Sequence, residues 1–234
     1  MGGLGSDIGS AEAVSALEWW LEAGVDALVT EQPRNWLTPN PVASPSEISD
    51  TPLVDSAIPE TLALFREWLP SSGPTATVTA KVVLPVGNQA AEVMIPAEAP
   101  GREEAAAGAP IAGEAWILTQ RMLAAIGFSP DQAYLANLSC FHSPGAKPDR
   151  KEIERCGEIA RKHIALAKPR RLLLFGDAPA RALLGKGLAE ARGHLHRPEG
   201  IRTVVTVHPR ILLDRPSEKA RAWKDLLLLM EDEA

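Results

Sequence analysis

Three short pieces of the chain carry residue types suited to chemistry on one ligand: Glu98 in Glu98-Ala99-Pro100-Gly101, Asn137, and His208 in His208-Pro209. Each follows an apolar run that reads as a buried strand: Val93-Met94-Ile95, Tyr134-Leu135-Ala136, and Thr203 to Val207. In an open parallel sheet the loops after the carboxyl ends of the strands meet in one crevice, where ligands bind. A carboxylate, an amide and an imidazole, far apart in sequence, are therefore expected to face one pocket. An amide can read the edge of a planar base, and an imidazole can stabilise an anion forming on it.

The elements that must position these residues follow from periodicity. From residue 91 onward, strands near 91–96, 133–137, 171–176 and 201–207 alternate with helices near 113–127, 150–167, 177–185 and 216–231. The run Arg171 to Gly176 is almost wholly apolar, as in a central parallel strand, and Asp177 can cap the helix that follows it. Such alternation predicts an α/β protein, a three-layer α/β/α arrangement around a central, mostly parallel four-stranded sheet. An edge strand is expected at 77–84 and a helix from about Pro59 to Leu69. Ahead of these, Val14, Leu17, Trp20, Leu21 and Val25 recur at helical spacing. Six prolines between Pro33 and Pro59 then exclude a long helix or central strand. The expected organisation is an N-terminal helical segment over 1–32, a Pro-rich connector over 33–59, and one α/β domain over 60–234.

The chain has 234 residues, a formal net charge of −6, 45% hydrophobic and 23% charged residues. No apolar stretch nears the roughly 20 residues needed to span a bilayer, and the first ten residues lack the basic start and apolar core of a secretory signal. No membrane association and a cytoplasmic location are expected. The charge is unevenly spread: residues 1–140 hold 5 Lys/Arg and 17 Asp/Glu, residues 141–234 hold 19 and 13. A basic carboxyl-terminal half on an acidic protein fits a phosphate-contacting face. The basic cluster Arg150, Lys151, Arg155, Arg161 and Lys162 is interleaved with Glu152, Glu154 and Glu158, so a solvated helix is the competing reading. Cys140 and Cys156 are the two cysteines, too few for a disulfide framework or a self-sufficient zinc site.

Taken in order, Ala97-Glu98-Ala99-Pro100-Gly101, then Glu104, Gly108, Pro110-Ile111 and Gly113, then Asn137, Arg192-Gly193 and His208-Pro209, resemble the motif series of the uracil-DNA glycosylase superfamily, most closely its family-4 type. Lys219, Trp223, Asp225 and Leu226 fit that family's last helix, and the resemblance covers about residues 90 to 230. It implies an enzyme that hydrolyses the N-glycosidic bond of uracil in DNA and leaves an abasic site. Its partner would be DNA containing uracil or another damaged base, and a monomer is expected.

By the same resemblance His208 would support the departing base anion, and Asn137 would read the uracil edge. Ala97, Ala99, Pro100, Gly101 and Ile111 would line the uracil pocket. Glu98 would either orient the attacking water or buttress its loop. Arg192, Gly193, Pro209 and Arg210 would face DNA, with Arg210 suited to a narrow, negative groove. Read without the resemblance, His208 and Asn137 could equally satisfy backbone groups at strand ends, and both arginines could be ordinary exposed side chains.

The chain departs from the family pattern at several places. Ala97 replaces a loop glycine, Ala105 an aspartate, Ile111 the aromatic that stacks on uracil, and Trp116 a small glycine; Trp116 is the alternative source of the missing ring. Family-4 members hold a four-cysteine iron–sulfur cluster. Here Cys140 and Cys156 stand near the second pair and the first pair is missing, so no cluster and no metal are expected. The alternatives are a DNA-binding protein of the same fold with weakened or lost turnover, or a glycosylase for a different base. A nucleotide-binding α/β protein lacks support, because no Gly-x-Gly-x-x-Gly or phosphate-cradling loop follows the first strand.

Overall fold

A computed structural model describes residues 58–72, 81–142 and 150–230. The expected amphipathic helix near the N-terminus and all but the last two residues of the Pro-rich connector lie outside them. Four five-residue strands, β2 (Val93–Ala97), β3 (Ala133–Asn137), β4 (Arg171–Phe175) and β5 (Arg202–Thr206), run parallel in the order β3-β2-β4-β5. A fifth strand is added to the expected four: β1 (Val86–Gly87) pairs antiparallel with β3 at the edge. Of the expected edge strand at 77–84, the described part contributes one isolated bridge, Val82 to Phe141. Pro85 cannot donate to a ladder, and this interrupts the edge between them.

Side-chain alternation along the strands builds two cores. Val93, Ile95, Ala97, Leu135, Leu173, Phe175 and Val204 join α3 (Gly113–Ala125), α7 (Pro209–Asp214) and α8 (Lys219–Met230) on one face. Met94, Tyr134, Ala136, Leu172, Leu174 and Val205 join α4 (Arg150–Ala167), α5 (Asp177–Leu184) and α6 (Leu188–Ala191) on the other. The result is the three-layer α/β/α fold. Leu172, Leu173 and Leu174 are each essentially fully buried, which contributes roughly 1.5–3 kcal/mol per side chain. A third cluster packs α1 (Leu62–Trp68) through Phe65 onto Ile159 of α4, with Cys140 and Phe141. Among the described residues no helix is long and apolar enough to cross a membrane.

The register decides where the site falls. Ala97 pairs with Asn137 and with Phe175, and Phe175 pairs with Thr206. The carboxyl ends of all four parallel strands therefore finish in one row. The chain leaves β2 toward β3 through α3 on one face, and leaves β4 toward β5 through α5 and α6 on the other. Connections diverge between β2 and β4, which is the switch point where α/β folds open a crevice.

Candidate active site

Glu98 follows β2 at this switch point. Its carboxylate Oε1 accepts the backbone N–H of Asp177 at 3.0 Å, the first residue of α5. Gly176 makes the approach possible: with φ of +104° it adopts a backbone that L side chains avoid, and a Cβ there would lie 2.3 Å from Glu98 Oε1. Glu98 thus braces its loop against the start of the helix after β4, the buttressing arrangement among the two left open by sequence.

Asn137 ends β3. Its Nδ2 donates to the carbonyl of Glu98 at 2.6 Å and to that of Pro110 at 3.3 Å. Both amide protons are committed to backbone, which fixes which end of the amide is which. Its Oδ1 is buried and has no hydrogen-bond partner among the described residues. A buried acceptor without a partner costs free energy unless a ligand satisfies it.

His208 follows β5, is 4% exposed, and forms the N-cap of α7. Its Nδ1 accepts the Arg210 N–H at 3.2 Å, so in the neutral ring the proton sits on Nε2 and that atom is a donor. Burial, assisted by the Arg210 charge, pushes its pKa down to about 4. The Phe175 ring meets it edge-on at a centroid distance of 6.0 Å. A neutral donor after β5 is therefore held at the same carboxyl end of the sheet as the fixed acceptor after β3.

The loop between β2 and α2 (Arg102–Ala107) is closed by two residues whose contacts the sequence did not disclose. Glu104, 2% exposed, accepts the Gly101 N–H with Oε2 at 3.0 Å. His142 places Nδ1 2.7 Å from the Pro100 carbonyl, so that nitrogen carries the proton. Pro100 is buried and Ala99 exposed, while Ala97 is fully buried in β2. Gly101 has φ of −79°, so no left-handed conformation requires glycine there. Instead, a Cβ would meet Glu104 Oε2 at 2.7 Å and Arg210 Nη1 at 2.9 Å.

The remaining expected site residues fall elsewhere. Ile111 is 1% exposed within the core cluster of the α3 face and presents almost no surface to a ligand. Trp116 packs half-buried against the same core. Arg192 is turned inward: Nε meets Asp225 Oδ2 at 2.7 Å and Nη1 meets Glu218 Oε2 at 2.5 Å. Asp225, 2% exposed, also accepts from Thr206 Oγ1 at 2.8 Å. Arg192 thus ties the end of α6 to α8, in place of the expected phosphate-facing position, while Asp225 joins α8 to the end of β5; Gly193, at φ +78°, makes the turn after it. Pro209 is the buried first residue of α7, and Arg210 folds back so that Nη1 lies 3.5 Å from Glu104 Oε1. The basic helix α4 spends much of its charge internally: Arg155 pairs with Glu158, Lys162 with Glu60, and Arg161 donates to the Ala182 carbonyl.

Cys140 and Cys156 line one cavity of about 300 Å³ with Asn137, Leu138, Ile159 and His163. Neither His208 nor Glu98 lines it, so the cavity shares only Asn137 with the catalytic candidates. Burial pushes the Cys140 thiol up to about 12 and the Cys156 thiol up to about 11. Without a metal both are protonated thiols at neutral pH. The chain holds two cysteines, and among the described residues no three His, Cys, Asp or Glu group to hold a metal. This donor set does not fit a four-thiolate cluster.

A family model described as the uracil DNA glycosylase superfamily matches residues 84–227, the span that carries the sheet and all three loops. A type-4 uracil-DNA glycosylase of Pyrobaculum aerophilum is 30% identical over 147 residues, 58% of this chain and 75% of the relative. Type-4 uracil-DNA glycosylases of Archaeoglobus fulgidus and Sulfurisphaera tokodaii are 28% and 26% identical, covering 56% and 62% of this chain and 71% of each relative. The fold, the loop geometry and these matches agree with the family-4 resemblance of the motifs: the chain belongs to the uracil DNA glycosylase superfamily.

Proposed function

We propose that the protein is a glycosylase that hydrolyses the N-glycosidic bond of uracil in DNA and leaves an abasic site. The observation that carries this reading is that a fixed, buried acceptor with no partner among the described residues, Asn137 Oδ1, and a neutral donor, His208 Nε2–H, stand at the same, carboxyl end of the parallel sheet, after β3 and β5. Uracil carries an N–H at ring position 3, where cytosine carries a lone pair. With both Nδ2 protons held by Glu98 and Pro110 carbonyls, the amide cannot turn over without breaking both bonds. Uracil satisfies the acceptor, whereas cytosine sets lone pair against lone pair, the kind of mismatch that buried polar sites reject strongly.

The flipped base leaves as an anion when the bond from the sugar to ring nitrogen 1 breaks. His208 Nε2–H donates to the oxygen on which that charge gathers. Water supplies the new oxygen bond to the sugar carbon, and the proton it loses to solvent balances the one the base anion takes up after departure. The Glu98–Gly101 loop, braced on α5 and held by Glu104, forms the wall from which that water is positioned.

The partner is uracil-containing DNA and the protein acts as a monomer without a metal or cluster. Cys140 acts as a small core residue and Cys156 as part of the cavity wall beside it. Purified protein is expected to lack iron and visible iron–sulfur absorbance; stoichiometric iron would overturn this. The test of function is release of base from a fluorescent single-stranded uracil oligonucleotide, read by alkaline strand cleavage, with hypoxanthine and thymine-mismatch substrates alongside. Retained binding of the uracil strand with no release under single-turnover conditions would favour the turnover-deficient alternative, for which buried Ile111, in place of a stacking ring, is the structural mark.

A further inference from the structure

Arg210 was expected to reach out to DNA, yet it lies over the active-site loop. Its Nη1 is 3.5 Å from Glu104 Oε1, and a Cβ on Gly101 would meet the same atom at 2.9 Å. Glu104 is 3% exposed at its side chain, while that of Arg210 is 42% exposed. The other carboxylate oxygen of Glu104 holds the Gly101 N–H. The backbone N–H of Arg210 holds His208 Nδ1. One residue therefore touches both catalytic loops, with its main chain on the imidazole and its side chain on the carboxylate that caps α2.

We infer that Arg210 is a positioning residue for base excision, a clamp that locks the His208 loop to the Glu98–Gly101 loop through the buried Glu104 carboxylate. This rests on the proposed glycosylase reading and deepens it. A buried carboxylate needs its partners to stay in place, and Glu104 is the strut under the loop that Glu98 and Pro100 form. The same cation has a second effect. Phe175, the ring against His208, is uncharged, Arg210 is the charge that bears on the imidazole, and Glu104 faces Arg210 from α2. Arg210 therefore helps keep His208 neutral, the form whose Nδ1 can accept the Arg210 N–H. Protonating that nitrogen would set two donors against each other and open the loop.

The test uses Arg210→Gln, Arg210→Lys, Glu104→Gln and the Arg210→Gln/Glu104→Gln double variant, on single-stranded uracil oligonucleotide under single-turnover conditions. A clamp predicts that Arg210→Gln lowers the maximal rate about tenfold, the order expected for a contacting pair, with little change in DNA affinity. The acid limb of its pH–rate profile moves upward, and Arg210→Lys, which keeps the charge, restores that limb. The double variant is no slower than the worse single by more than about twofold. A role in DNA contact instead predicts a loss in affinity, a salt slope reduced by about 1 and an unmoved acid limb; that result overturns the inference. If the parent protein releases no uracil, the glycosylase reading fails by itself. The clamp is then judged by the melting temperatures of the same four variants: non-additive changes support it and additive changes overturn it.

Discussion

Removing the His208 imidazole separates its chemical role from its structural one. In His208→Ala the Nε2–H donor is lost, and a single preorganised donor to a developing anion is worth about 3 kcal/mol of barrier, or roughly a hundredfold or more in rate. The structural cost is separate: the Arg210 N–H loses its acceptor, about 1–3 kcal/mol, truncating a buried ring adds a cavity term, and Pro209 still starts α7. The pH dependence gives a second handle. A pKa moved from 6.5 to about 4 corresponds to roughly 3 kcal/mol favouring the neutral ring. Single-turnover excision by the parent protein should therefore be flat from about pH 6 to pH 8 with respect to this group, with its inflection near pH 4. The assay is base release against pH for both proteins, with melting temperature confirming that the variant is folded, and an NMR titration of the ring to place its pKa. A folded His208→Ala variant at the parent rate would remove the imidazole from the mechanism. A ring that titrates near 6.5 would remove the argument for its neutrality.

Three further outcomes follow from particular contacts. His163 is 4% exposed, bonds the Tyr134 hydroxyl at 2.9 Å, and is held by burial, with help from Arg66, at a pKa of about 4. The unfolded chain binds this proton near pH 6.5 and the folded chain does not. The contribution is thus complete above pH 6.5 and lost as pH falls toward 4. In urea denaturation His163→Phe should lose about 2 kcal/mol less between pH 7 and pH 5 than the parent; an identical loss would refute the assignment. Gly176→Ala should lower the melting temperature sharply, because the new Cβ strikes Glu98 and the residue has φ of +104°, and a second change Glu98→Ala should recover part of it; no recovery would show that backbone strain alone sets the cost. Arg192→Met strands the buried Asp225 carboxylate and should cost about 3–5 kcal/mol while leaving the salt slope of DNA binding unchanged, whereas a stable variant with a lower slope would restore Arg192 to the DNA face.

The fold was legible because its signals are local. Short apolar runs ending in Ala97, Asn137, Phe175 and Thr206, each separated by a helical stretch, leave little choice but a parallel sheet, and the 150–167 helix is found at its expected bounds. What escaped was short or tertiary. A two-residue strand, Val86–Gly87, has no periodicity to detect, and the four-residue α6 and six-residue α2 and α7 are too brief to show a face.

Among the site residues, order alone placed Glu98, Asn137 and His208 at one end of the sheet, because the carboxyl ends of parallel strands align whatever the side chains are. The direction in which each charge points was not readable. Arg192 and Arg210 look alike in sequence, each next to a turn and each suited to phosphate, yet one closes on Asp225 and the other on Glu104. A guanidinium next to a buried carboxylate gains more there than in water, and both carboxylates, 33 and 106 residues away, are acidic residues with no local sign of burial. Glu104 sits in a helical first turn and Asp225 in a helix interior, positions at which an acid is most often solvated. In this chain the two buried acids, Glu104 and Asp225, decide where Arg210 and Arg192 go.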